Sequence, residues 1–139
     1  MSISFTSLKE CHLSGVINLV STISNYKPQE SEYKKIWKHF SLQNNVFAIV
    51  ALDEKKVVGF GYICTNMTIR GGKIAYIEDV ICDVNFRSKG LGKEIMNHLL
   101  DYAKKNNCYK IVLQCIKNNV IFYKKCGYRV NGSAMQILM

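Results

Sequence analysis

The chain has 139 residues, of which 48% are apolar and 21% are charged. This length suits one globular unit with its own core, so we expect residues 1–139 to form a single domain. No stretch approaches the roughly 20 apolar residues of a membrane span. The N-terminal stretch MSISFTSLKECHLSG also lacks the charged start and apolar run of a signal peptide, so we expect a cytoplasmic protein.

The formal net charge of +9 indicates an anionic partner. The lysines form dispersed pairs rather than one basic stripe, and no nucleic-acid-binding motif is visible. We therefore expect a phosphorylated small molecule as the partner, and no nucleic acid. The six cysteines contain no C-x-x-C pair and the three histidines are scattered, which predicts reduced thiols and no metal site.

The N-terminal half of the chain predicts one strand, two helices and a hairpin. ISFTSL alternates weakly over 3–8 and predicts a strand, whereas apolar residues recur at helical spacing from about 12 to 23. Pro28 interrupts this pattern, and a second helix continues through EYKKIWKHF. The period then changes: 46–52 and 57–67 are rich in β-forming residues and are joined by DEKK, which predicts a hairpin.

The C-terminal half predicts three further strands or more, interleaved with helices. IRGG marks a turn before a strand over 73–84, and an apolar stripe then predicts a helix that ends near residue 106. A buried strand over 109–115 is followed by a short helix, NNVIFYKKCG, which Gly127 closes. YRVNGSAMQILM is predicted to return as one or two strands. The order β-α-α-β-β-β-α-β-α-β predicts a mixed sheet flanked by helices, in the α/β or α+β class.

A glycine-rich basic segment, FRSKGLGKEI, lies between a predicted strand and a predicted helix. The P-loop pattern fails at its first glycine, where Arg87 stands, and the dinucleotide pattern fails at its third glycine, where Ile95 stands. What remains is R-x-x-G-x-G. Glycines let main-chain N–H groups approach a ligand closely, and a helix N-terminus adds free donors, so the segment favours a pyrophosphate. The alternative is a tight turn with solvated basic side chains.

This segment resembles the acetyl-CoA loop of the GCN5-related N-acetyltransferase (GNAT) superfamily, whose pattern is Arg/Gln-x-x-Gly-x-Gly/Ala. The blocks YIEDVICD, NCYKIVLQC and NNVIFYKKCGY resemble the glucosamine 6-phosphate N-acetyltransferases, which serve UDP-GlcNAc biosynthesis. The sequence resemblance is good over about 74–129, whereas the first 70 residues resemble the family only in the order of their predicted helices and strands. It implies an acyl-CoA N-acyltransferase fold with a mostly antiparallel sheet. It also implies a homodimer and direct acetyl transfer from acetyl-CoA to glucosamine 6-phosphate without a metal.

The resemblance further implies how acetyl-CoA is held. The main chain after Glu78 would bind the pantetheine and the acetyl carbonyl, and an N–H group there would stabilise the oxyanion. Tyr123 would lie beside the CoA sulfur as a general acid, and Asn119 would bind the pantetheine; without the resemblance, Tyr123 could equally be a core aromatic. The implied cofactor-binding set is Val80, Ile81, Cys82, Arg87, Ser88, Lys89, Gly90, Leu91, Gly92, Lys93, Asn119 and Tyr123.

For the acceptor, the resemblance implies that Glu78 helps to deprotonate the amine and that Asp79 contacts the sugar. With Tyr123, these residues form the implied catalytic set. Alternation along a strand predicts that Glu78, Val80 and Cys82 share one face while Asp79 points to the other. The two carboxylates would then form no side-by-side pair without distortion. The alternative is an ordinary solvated strand end.

Substrate binding is predicted from a looser set. Arg70 and Lys73 flank the GG turn and are candidate phosphate ligands, and Ser21 resembles a family threonine that contacts the sugar phosphate. The substrate-binding set is Ser21, Arg70, Lys73, Glu78, Asp79 and Gln114. Gln114 stands where the family commonly has an acid, and Leu138 stands where it commonly has Arg. These departures leave open an acetyltransferase for a polyamine or a protein N-terminus, and a CoA-binding module without catalysis.

Overall fold

The computed structural model describes residues 2–139, which form a five-stranded sheet with helices on both sides. The strands are β1 (Ile3–Ser7), β2 (Val46–Asp53), β3 (Lys56–Thr68), β4 (Gly72–Cys82) and β5 (Cys108–Leu113). The helices are α1 (Leu13–Val20), α2 (Tyr33–Ser41), α3 (Leu91–Lys105) and α4 (Val120–Lys125). Short 3₁₀ turns precede α1, α2 and α4, and another lies between β4 and α3.

The sheet is mixed and mostly antiparallel, which confirms the predicted fold class. Its strand order is β1-β2-β3-β4-β5, and the β4–β5 pair is parallel while the other neighbours are antiparallel. A parallel pair needs a long crossover between its strands, and α3 supplies it.

Two apolar clusters define the two faces of the sheet. On the α3 face, Ile63 and Ala75 of the sheet pack against Ile95 and Leu99 of α3, and all four are buried. On the α1 face, sheet residues such as Phe60 pack against the inner side of α1. These contacts confirm the apolar stripe that predicted α3, because a helix that covers a sheet must present one apolar side.

The prediction of one or two strands after residue 127 is wrong. Gly127 closes α4 with φ 98°, as expected, but residues 129–139 form no strand and are all exposed. Exposed apolar side chains in this C-terminal segment include Val130, Met135, Ile137 and Leu138. Apolar side chains favour burial, but a strand also needs a neighbouring strand, and the segment makes no ladder with β5.

The structure also bears on the expectations drawn from composition. No helix within residues 2–139 is both long and apolar enough to cross a membrane. Over the same residues, the six cysteines are free thiols. No group of three or more His, Cys, Asp or Glu side chains in that range is arranged to hold a metal ion.

Candidate active site

A notch opens where β4 and β5 separate. Their ladder runs from Lys73 opposite Cys108 to Ile77 opposite Leu113. β5 ends there, whereas β4 continues to Cys82. The main-chain groups of β4 beyond Ile77 therefore face the notch without a neighbouring strand, and such groups need hydrogen-bond partners from solvent or a ligand. The segment Val80–Cys82, predicted to bind the acetyl carbonyl, lies at this open edge.

A β-bulge interrupts β4 at the same place. Asp79 has φ 52°, in the left-handed region, and the β3–β4 register shifts so that Asp79 and Val80 together oppose Gly61. Asp is one of the few residue types other than glycine that tolerate this backbone region. Bulges redirect side chains and are common beside active sites.

The bulge makes the predicted distribution of side chains between the two faces wrong. A Cβ on Gly61 would lie 3.2 Å from Val80, and Val80 and Cys82 both pack with the α3-face cluster. Glu78 instead pairs across the sheet with Tyr62, which packs with the α1-face cluster. Glu78 and Cys82 therefore lie on opposite faces, because the extra residue reverses the alternation between them.

The charge of Asp79 acts on the carboxyl group of Glu78. Burial raises the pKa of Asp79, and burial together with the Asp79 charge raises the pKa of Glu78. Burial, followed by the charges of Asp79 and Glu78, raises the pKa of Tyr62 to about 12. The bulge at Asp79 is a distortion of the kind that a carboxylate pair on adjacent strand residues requires. The raised pKa makes Glu78 a better proton acceptor.

Tyr123 of α4 lies at the opposite side of the notch. Its ring packs edge-on against Phe122, with 5.0 Å between centroids. Burial, with the proximity of Cys115, Cys126 and Cys82, raises its pKa to about 12. Cys82 ends β4 and Cys115 follows β5, so these neighbours place Tyr123 between the two strand ends. Its phenol is therefore protonated at neutral pH and carries a proton that it can donate, although the raised pKa makes it a weaker acid than a free phenol.

The glycine loop lies beside the end of β4. Ser88 has φ 66° and Gly90, the N-cap of α3, has φ 78°. Left-handed residues leading into a helix N-terminus are typical of loops whose N–H groups converge on an anion. The charge of Arg87 acts to lower the pKa of Cys82, although burial outweighs it and raises that pKa to about 11. The structure thus brings the loop and the Val80–Cys82 segment together.

The remaining loop residues differ in what they can offer a ligand. A Cβ on Gly92 would lie 3.1 Å from the Phe122 ring, so this glycine allows α3 to approach α4. Lys89 lies 5.9 Å from the centroid of the Phe86 ring. The side chain of Leu91 is buried in the core, which leaves only its main chain for a ligand.

Three other predicted residues differ in how closely the structure relates them to the notch. Gln114 lines a groove of about 940 Å³ together with Glu78 and Tyr123. Asn119 is the N-cap of α4, but its side chain does not cap the helix. Ser21 follows α1 and its hydroxyl donates to the main-chain carbonyl of Asn18 at 2.7 Å. Since α1 packs on the α1-face cluster, Ser21 lies on the same side of the sheet as Glu78.

Arg70 and Lys73 lie at the opposite end of β4 from the bulge. Lys73 precedes Glu78 by five residues along β4, which places their Cα atoms about 16 Å apart. Arg70 is farther away, in the β3–β4 turn, where a Cβ on Gly71 would lie 3.1 Å from the Tyr109 ring. To reach the phosphate of a sugar whose amine lies at Glu78, these side chains would have to extend along β4 towards it, so their role as phosphate ligands stays a prediction.

Sequence reasoning missed Tyr62. Its ring meets Phe40 of α2 edge-on, with 5.3 Å between centroids, and it stands opposite Glu78. No motif marks it, because its position depends on the β3–β4 register and on the bulge at Asp79. The one available signal was the predicted turn at IRGG between the strands over 57–67 and 73–84, which suggests that these strands are neighbours without identifying the paired residues.

Comparisons with known proteins agree with this geometry. Residues 14–128 match the model of the acetyltransferase (GNAT) family. Glucosamine 6-phosphate N-acetyltransferase of Arabidopsis thaliana is 48% identical over 56 residues, which is 40% of this chain and 38% of that protein. Glucosamine 6-phosphate N-acetyltransferase 1 of Dictyostelium discoideum is 38% identical over 97 residues, which is 67% of this chain and 62% of that protein. The matched segments thus span less than two thirds of these two relatives.

Structural similarity extends over the whole chain. The crystal structure of glucosamine-6-phosphate N-acetyltransferase from Arabidopsis thaliana superimposes with a TM-score of 0.92 at 26% identity, covering 99% of each chain. This chain has separated β4 and β5 strands, a bulge in β4 and a glycine loop at the start of α3. Its sequence matches the acetyltransferase (GNAT) family over residues 14–128. The chain belongs to the acetyltransferase (GNAT) family.

Proposed function

We propose that the protein transfers the acetyl group of acetyl-CoA to the amino group of glucosamine 6-phosphate, forming N-acetylglucosamine 6-phosphate. One observation carries this proposal. Glu78, whose pKa is raised, and Tyr123, a protonated phenol, line one groove at the free edge of β4. A proton acceptor and a proton donor on either side of unpaired main-chain groups are the parts that acyl transfer to an amine requires.

The described residues fit acetyl-CoA as the donor. The left-handed Ser88 and Gly90 shape the loop at the α3 N-terminus, and the charge of Arg87 adds to its attraction for a pyrophosphate. The unpaired edge Val80–Cys82 offers main-chain groups to the extended pantetheine and to the acetyl carbonyl. Bound acetyl-CoA supplies the activated acyl group, and Asn119 at the start of α4 is placed to bind its amide groups.

In the proposed reaction, Glu78 accepts a proton from the substrate ammonium, directly or through water, so that a neutral amine is present. The amine nitrogen then forms a bond to the thioester carbonyl carbon. A main-chain N–H of β4 stabilises the negative oxygen of the tetrahedral intermediate. As the carbon–sulfur bond breaks, Tyr123 donates its proton to the leaving sulfur. The nitrogen gives up its second proton, through water, to the Tyr123 phenolate, and Glu78 releases the first proton to solvent.

Glucosamine 6-phosphate is the acceptor that the relatives support. Gln114 cannot act as a base, so the proton must pass to Glu78 or Asp79, and the pKa of both carboxyls is raised. Arg70 and Lys73 remain the candidate ligands of its phosphate, from the same chain or from a second one. A product of this kind would serve UDP-GlcNAc synthesis, and such a role is consistent with the cytoplasm.

We also propose a homodimer. The C-terminal segment 129–139 exposes Ile137 at 83% and Leu138 at 84%, and the outer edge of β5 has no neighbouring strand in the described chain. Exposed apolar side chains next to an unpaired strand edge are typical of an interface between chains. If two copies of the chain packed together through the C-terminal segment and the β5 edge, these apolar side chains would be buried.

Mass spectrometry of the acetylated product tests the proposed function. The protein, acetyl-CoA and glucosamine 6-phosphate should yield N-acetylglucosamine 6-phosphate. Glu78→Gln should lower kcat by about a hundredfold or more, the scale of a lost general base. Glu54→Gln, at the β2–β3 turn, is the matched control and should keep full activity. Absence of the product with wild-type protein, or full activity of Glu78→Gln, would contradict the proposal.

A further inference from the structure

Tyr62 is a polar aromatic residue on the acceptor side of the notch that the proposed reaction does not use. It lies on β3 directly opposite Glu78. Directly paired residues of antiparallel strands have Cβ atoms about 5 Å apart and extend from the same face. The phenol therefore extends beside the Glu78 carboxylate, and the influence of both Glu78 and Asp79 on its ionisation agrees with this placement.

The ring of Tyr62 is held in position by aromatic neighbours. Phe40 of α2 meets it edge-on at 5.3 Å and 88°, and Phe60 lies 6.0 Å away on the same strand. The ring consequently stands between α2 and the two carboxyl groups of β4. A ring fixed by such contacts loses little conformational entropy when a ligand binds against it.

The hydroxyl of Tyr62 is available to a ligand. The side chain of Tyr62 is only partly buried, and its hydroxyl, unlike that of Tyr128, is not a buried atom that lacks a partner in the described chain. Its pKa of about 12 keeps it protonated across the neutral range. It can therefore both donate to and accept from a hydroxyl group, which the two carboxylates, when ionised, cannot do.

We propose that Tyr62 is an acceptor-binding residue that holds an amino sugar against Glu78, with its ring against the carbon face of the sugar and its hydroxyl on a sugar hydroxyl. This inference rests on the proposed acetyltransferase function and names one part of its acceptor site. Polyamines carry no hydroxyl groups, so the contact favours amino sugars over polyamines.

Kinetics of Tyr62→Phe test the inference. The variant keeps the ring and loses one hydrogen bond, so the KM for glucosamine 6-phosphate should rise about threefold to tenfold while kcat stays within about twofold. Tyr62→Ala should raise KM further, because the ring is lost as well. The acetyl-CoA Kd and the melting temperature of Tyr62→Phe should equal those of the wild type. Tyr102→Phe, on α3 with its ring stacked on Phe47 at 4.9 Å, is the matched control and should change none of these values.

The outcomes separate this inference from the proposed function. An active wild type with an unchanged KM in both Tyr62 variants, or a loss confined to kcat, would overturn the inference and leave the function intact. A wild type that acetylates spermine but not glucosamine 6-phosphate would overturn both the sugar acceptor and the assigned sugar contact. If no amine is turned over, calorimetry of glucosamine 6-phosphate with the CoA-saturated protein decides: weaker binding to Tyr62→Phe supports the inference, whereas equal or absent binding overturns it.

Discussion

At the scale of single residues, the left-handed backbone of Asp79 determines how the site is arranged. Its φ of 52° places an extra residue in β4. As a result Glu78 faces the side of α1, while Val80 and Cys82 face α3. The same residue carries the charge that raises the pKa of Glu78. Asp79 thus both forms the bulge and raises the pKa of Glu78, and a substitution that keeps the backbone but removes the charge can separate the two effects.

Asp79→Asn should keep the bulge, because Asn also tolerates left-handed backbone, but it removes the charge. The pKa of Glu78 then falls, and the acidic limb of the kcat/KM profile moves to lower pH. Both carboxyl pKa values are raised in the folded state, so their stabilising contribution is full at low pH and is lost as pH rises through those values. Melting temperatures should therefore fall less with rising pH in Asp79→Asn than in the wild type. An acidic limb that does not move would show that Glu78 is not the base.

Tyr123→Phe tests the proposed proton donor. We expect kcat to fall by about a hundredfold, the low end for general acid catalysis because a thiolate is itself a good leaving group. The acetyl-CoA Kd should change little, since the ring remains. Tyr128→Phe is the matched control: its ring lies 6.2 Å from that of Tyr123, and its buried hydroxyl has no partner in the described chain. Equal turnover by Tyr123→Phe and wild type would remove the acid role.

At the scale of elements, the glycine loop and the start of α3 carry the donor site. Gly90 is the N-cap of α3 and has φ 78°, a conformation that costs a residue with a side chain about 1 to 2 kcal/mol. Nothing lies within 4 Å of a Cβ built on it. The glycine is therefore required by backbone conformation and not by space.

Gly90→Ala should shift the loop out of its left-handed turn and raise the acetyl-CoA Kd by about tenfold, which corresponds to about 1.4 kcal/mol. Gly72→Ala is the matched control, because Gly72 also has a positive φ, 99°, with open space around it, but lies at the β3–β4 turn. Both variants should lose similar melting temperature, measured by calorimetry. An equal loss of acetyl-CoA affinity in both, or in neither, would contradict the loop assignment.

The same elements show what sequence could predict. The helices and strands up to residue 127 were predictable because apolar period, Gly127 and the glycine loop are local signals. The bulge at Asp79 was not, since no local signal distinguishes it from a regular strand residue, and the assignment of Glu78 and Cys82 to one face failed with it. The contact of Tyr62 with the acceptor side depends on register between two strands, which a single sequence does not determine.

At the scale of the whole molecule, the C-terminal segment 129–139 exposes apolar side chains that nothing within one chain buries among the described residues. The predicted strand there is absent within a single chain, although the apolar side chains that suggested it are present and exposed. A second copy would supply the surface that such side chains need. The homodimer proposal therefore accounts for both the pattern and its exposure.

Sedimentation equilibrium tests the homodimer. The wild type should have about twice the 15.9 kDa mass of one chain. Ile137→Asp should shift the equilibrium towards the monomer, because it places a charge in the apolar interface. Ser133→Asp adds the same charge to the same segment without removing apolar surface and should stay dimeric. A wild-type mass of one chain would contradict the proposal.

The most direct test of the central claim is the release of free thiol from acetyl-CoA with three amines in parallel: glucosamine 6-phosphate, spermine and a peptide with a free N-terminus. The account predicts rapid release with glucosamine 6-phosphate and, with the other two, a kcat/KM at least about a hundredfold lower, the scale on which enzymes discriminate between substrates through pocket contacts. Release with spermine or the peptide, and none above background with glucosamine 6-phosphate, would contradict it.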